Sequence, residues 1–149
     1  MILQYSNLYP MTLWIGSIDD MKKAIKLFTF YYDVDGLNND EEPVNMEPVP
    51  SKTASGITYL VRYKKTEEKG CLVLLNMEYL EEGDYTTILD TVSHEASHVV
   101  DAIYQVIHEQ SGTYDSGNEP HAYLTGWVAG CMGDYLTKYF RKTNERKEV

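Results

Sequence analysis

Residues 94–98 read His-Glu-Ala-Ser-His, and a glutamate, Glu119, follows beyond a run of turn formers. Two histidines four positions apart lie on one face of a helix about one turn apart. Both imidazoles can then hold one metal ion while the glutamate between them reaches the ion's open side. The run therefore asks for a helix with chemistry on one face and a buried stripe on another.

The flanking residues meet that demand. From Thr87 to Glu109, the apolar residues Ile88, Val92, Ala96, Val99, Ile103 and Val106 recur at spacings of three and four, which predicts a helix with one buried face. At about 100° per residue, Asp90, His94, His98, Asp101, Gln105 and His108 share a different face, turned to a cleft or to solvent. Gln105 and His108 read as solvated positions on it.

Ser111, Gly112, Asp115, Ser116 and Gly117 should end this helix, and a second should begin at Asn118-Glu119-Pro120. Asn118 suits an N-cap, and Pro120 fits a first turn where backbone N–H groups have no helical partner. Leu124, Val128, Cys131, Tyr135 and Tyr139 mark its buried stripe. Glu119, Tyr123, Gly126, Gly130 and Gly133 fall on another face, and each glycine costs about 1 kcal/mol of helix stability relative to alanine. The expectation is that this smooth face lets the second helix approach the first and carries the Glu119 carboxylate to the histidine pair. The alternative is plain packing, with Glu119 an acid favoured by the helix dipole.

His94-Glu95-Ala96-Ser97-His98 followed by Asn118-Glu119 resembles the gluzincin branch of zinc metallopeptidases, in which an Asn-Glu motif on the second helix carries a glutamate ligand. The small size is similar to the minimal members called minigluzincins, and to small zincin-like proteins of phages and mobile elements. The resemblance covers roughly residues 57 to 140. It implies zinc ligation by His94, His98 and Glu119, with Glu95 as catalytic base. It also departs from the thermolysin-like pattern, which has an aspartate four residues after the ligand glutamate where this chain has Tyr123.

Three protein ligands leave one vertex of a tetrahedral Zn²⁺ for water, the arrangement of a catalytic site. Glu95 would then take the proton of the attacking water and deliver it to the leaving amine. Asp90 and Asp101, on the histidine face, are candidates to orient the imidazoles or are ordinary solvated acids. Tyr114, His121 and Tyr123 are the nearby candidates to stabilise the oxyanion, though His121 could equally cap the helix, bind metal or serve packing.

The remaining sequence predicts an α+β fold, zincin-like, with a small antiparallel or mixed sheet packed on the HExxH helix, in one domain spanning 1–149. A length of 149 residues, 43% hydrophobic, suits a single core. Met11 to Ile15 reads as a short strand and Ile18 to Tyr32 as a helix. Ile57 to Tyr63 and Cys71 to Met77 read as a hairpin around a polar turn. Zincins pair an extended substrate with a sheet edge above the active-site helix, and whether Cys71 to Met77 is that edge is left open. No Lys or Arg lies between Lys26 and Lys52, and acids and prolines crowd residues 33–51, which predicts an exposed loop or lid rather than helix or strand. The end of the chain, from Lys138, reads as a charged helix terminus or frayed tail, with the charged tail at about 141–149. Cys71 and Cys131 are isolated and read as buried free thiols.

A net charge of −10 argues against nucleic acid as partner. No 18-residue apolar run suggests a membrane span, and the first residues lack a signal-peptide pattern, so a cytoplasmic protein is expected. The leading expectation is a zinc metallopeptidase acting on a peptide or protein in extended conformation. The alternatives are a zincin-like metal-binding domain with a binding or regulatory role, encoded on a mobile element, a hydrolase of another amide-type bond, and a protein without metal. No feature of the sequence specifies an oligomeric state.

Overall fold

The computed structural model describes residues 1–6, 10–46, 53–108 and 110–147. In chain order these form β1 (Leu3–Ser6), β2 (Thr12–Ser17), a single 3-10 turn (Ile18–Asp20), α1 (Met21–Leu27), β3 (Phe28–Tyr31) and α2 (Val34–Asn39). Then come β4 (Gly56–Tyr63), β5 (Lys69–Leu75), α3 (Met77–Glu82), α4 (Tyr85–Val106) and α5 (Glu119–Lys147). The fold class is mixed α+β, as the sequence leads one to expect.

The five strands form one sheet in the order β1-β2-β5-β4-β3. β2 and β5 are parallel and the other neighbours antiparallel. Central position explains why Cys71 to Leu75 is apolar without alternation, since a strand covered on both faces buries every side chain. Cys71, Val73 and Leu75 point to the layer made by α4 and α5, whereas Leu72 and Leu74 join Trp14, Phe28 and Met21 on the other face. β5 is therefore an interior strand, and the question of its being the edge is answered.

The α4 helix opens on Asp84, whose side chain accepts from the backbone N–H of Thr87. Its buried stripe includes Val92, Ala96, Val99 and Ile103, against which α5 sets Leu124, Val128, Met132 and Tyr135. Among the described residues, no helix is long and apolar enough to cross a membrane.

Three expectations need correction. The helix predicted over 18–32 ends at Leu27, and Phe28-Thr29-Phe30-Tyr31 is strand, because its aromatics pack in alternation beside β4. The segment predicted as loop over 33–51 contains α2, started by Asp33, which accepts from Gly36 N–H, and Val44 bridges Phe30. Residues 47–51 of that segment lie outside the described residues. Finally, the glycine face of α5 does not meet α4. A Cβ built on Gly126, Gly130 or Gly133 would find no atom within 4 Å, so these residues face outward and the contact is made by larger side chains. Of the two readings of the charged end, helix terminus or frayed tail, the structure has the first, with α5 running through Lys147.

Candidate metal centre

His94 and His98 project from the exposed side of α4 one turn apart, and their Nε2 atoms stand 3.1 Å from each other. Two ligands of a tetrahedral zinc with bonds of about 2.0–2.1 Å are separated by about 3.3–3.4 Å. The pair thus already has close to the spacing of two zinc vertices.

Glu95 occupies the buried stripe instead, three residues after Val92 and four before Val99, and is only 3% exposed. A buried carboxylate needs compensation. β4 supplies it: the Thr58 hydroxyl donates to Glu95 Oε2. Gly56, two residues earlier on the same face of the strand, leaves room for the Glu95 side chain, since a Cβ there would lie 2.9 Å from Glu95 Cγ.

These residues border a cavity of about 770 Å³ between α4, β4 and the start of α2. Its carboxylates are Asp33, Asp35, Glu95 and Asp101, and no Lys or Arg lines it among the described residues. α2 is held at the rim from its other end, where Arg62 donates to the carbonyls of Leu37 and Asn38 and Lys69 to Asn38 Oδ1. The sheet contributes a strand edge. β3 pairs with β4 only from Leu60 onward, so residues 56–59, paired with β5 on one side, have no strand on the other among the described residues.

The structure brings together His94, Glu95, His98 and Asp101 of the residues singled out by sequence, and Gln105 and His108 line the same cavity. Asp101 also stands 3.8 Å from Nε2 of His121. Asp90 is exposed on α4 and outside the cavity lining. Glu119 is an exposed first-turn residue of α5, likewise outside the lining, and among the described residues no three His, Cys, Asp or Glu side chains are grouped to hold a metal ion. His121 rests against the Tyr104 ring in a neighbouring depression, and Tyr114 and Tyr123 are exposed away from the cavity. Two of the three expected ligands therefore fit zinc as they stand, while Glu119 is not gathered with them. Neither thiol lines the cavity, and burial pushes Cys71 up to about 12 and Cys131 up to about 11.

The sequence places Asp33 and Asp35 in the acidic segment, and the structure brings both to the cavity; Gly56 and Thr58 it does not single out. The strand period offered one signal, because Gly56 and Thr58 share one face while the larger Ile57 and Tyr59 share the other, which leaves room on the first face for something bulky. No family model, curated protein or solved structure matches this chain.

Proposed function

We propose that this protein is a zinc-dependent metallopeptidase of gluzincin type, acting on peptides in extended conformation. The observation that carries the reading is the convergence of His94 and His98 beside a buried carboxylate, Glu95, at a strand edge that is free among the described residues. His94 and His98 supply two zinc ligands, and Glu119 is assigned as the third on the motif alone. A zinc ion held there would provide the Lewis acid that lowers the pKa of bound water and polarises a carbonyl oxygen.

The protein's own groups do the rest. Glu95 accepts the proton of the nucleophilic water and returns it to the departing amine nitrogen. Residues 56–59 of β4 offer backbone N–H and C=O groups to a peptide laid beside them as an added strand. The acids at the rim repel acidic substrates.

A second reading has one observation in its favour. Because Glu119 is not among the residues lining the cavity, a zincin-like domain that binds metal through the histidines and serves a binding or regulatory role fits the same geometry. Cleavage of a peptide library, with and without chelator, separates the two. Chelator-sensitive cleavage that disappears in Glu95→Gln while zinc content persists supports the peptidase. Zinc binding without cleavage at any peptide supports the second reading.

A further inference from the structure

We propose that Thr58 is a positioning residue for Glu95: its hydroxyl ties down one carboxylate oxygen so that the other is the one presented to the cavity. The proposal rests on the peptidase reading for its catalytic purpose.

The two oxygens of Glu95 have different surroundings. Oε2 accepts from Thr58 Oγ1, and Oε1 accepts no hydrogen bond among the described residues, although Glu95 is only 3% exposed. Glu95 nevertheless lines the cavity. An unpaired oxygen on a buried carboxylate is costly unless something reaches it from the open side. Gly56 confines the side chain further, because a Cβ there would stand 2.9 Å from Glu95 Cγ and 3.3 Å from Oε1.

Proton accounting follows from this asymmetry. As the water oxygen bonds to the peptide carbonyl carbon, one water proton passes to Oε1, while Oε2 keeps accepting from Thr58. When the C–N bond breaks, the proton on Oε1 moves to the amine nitrogen and the carboxylate is restored. Thr58 neither gains nor loses a proton. Its backbone lies on the free part of β4, so the residue that would pair with substrate is also the residue that holds the base. A peptide docked in register is thereby docked relative to Oε1.

The test compares Thr58→Val with Thr58→Ser in the full chain. Valine keeps the β-branched shape and the backbone pairing but removes the donor. It should lower kcat by about ten- to a hundred-fold, as loss of a supporting group around a metal site does, with KM within about two-fold and one zinc per chain retained. Serine restores the donor and should recover most of the turnover. Independently of activity, urea midpoints for Thr58→Val, Glu95→Ala and the double variant should be non-additive, because the two side chains share one contact. A fully active Thr58→Val in an active parent, or additive midpoints, overturns the positioning role alone. A parent without any turnover overturns the peptidase reading and the catalytic purpose of Thr58 with it, while the midpoints still report the contact.

Discussion

A Cβ added to Gly56 would stand 2.9 Å from Cγ of Glu95, closer than side chains tolerate, and 3.2 Å from its Cδ, a tight contact. Residue 56 lies at the start of a strand and residue 95 within a helix, so the space for the carboxylate depends on a backbone 39 positions away. Gly56→Ala should leave the fold and the zinc content in place while shifting Glu95 by a fraction of an ångström or more. Misplacement of about 1 Å in a reacting group costs on the order of 100-fold in rate. A kcat/KM equal to the parent's, measured on any cleaved peptide, would show that the carboxylate does not need this space.

The histidine pair makes a second prediction. His94 and His98 are exposed, so replacing either with alanine should leave the thermal midpoint of the metal-free protein nearly unchanged yet remove bound zinc and the stabilisation that zinc adds to the parent. Glu119→Ala should remove it as well, whereas Asp101→Ala should not. Metal analysis after purification without chelator reads all four variants. Zinc retained in Glu119→Ala but lost in Asp101→Ala would move the third ligand from α5 to α4.

The HExxH helix was legible in sequence because its information is local: a buried stripe of period 3.6 and turn formers after it. β3 was not legible, since Met21, Ile25 and Phe28 continue a helical spacing, and only pairing with β4 turns Phe28–Tyr31 extended. α2 was hidden for a related reason. Its six residues contain a glycine and sit among acids, and the hydrogen bonds that hold it come from Arg62 and Lys69, far along the chain. The site divides the same way. His94, Glu95 and His98 are neighbours in sequence, whereas Gly56 and Thr58 join them only through sheet topology. The relation of Glu119 to the pair depends on the linker after α4, in which His108, Gly112 and Gly117 adopt positive φ, a geometry that composition does not encode.

The α4 cap gives a pH prediction. Backbone N–H donation from Thr87 to the Asp84 carboxylate holds its pKa below the usual value. A carboxyl group depressed on folding stabilises the protein above its unfolded pKa, about 3.9, and that contribution is lost as pH falls through the folded value. Asp84→Ala should therefore lower the urea midpoint at pH 7, and the gap to the parent should narrow below about pH 4. Asp84→Asn, which still caps, should lie between them at pH 7. A gap that stays constant from pH 7 to pH 3 would remove the carboxylate's charge from the account.

Gly126, Gly130 and Gly133 allow the cleanest stability test, because nothing within the described chain explains them. None has a positive φ, so helical geometry does not require glycine there, and each would place a new Cβ in open space. The folded state therefore gains no clash from alanine, while the unfolded chain loses conformational freedom. Each substitution should stabilise by about 1 kcal/mol, which for a chain of this size corresponds to about 2–4 °C in Tm. The sites are three and four residues apart, but their new methyl groups point to solvent, so the three increments should add. A thermal melt of the triple variant at or below the parent's Tm would mean that this face of α5 is covered in solution, since only a closely packed partner would turn three methyl groups from a gain into a loss.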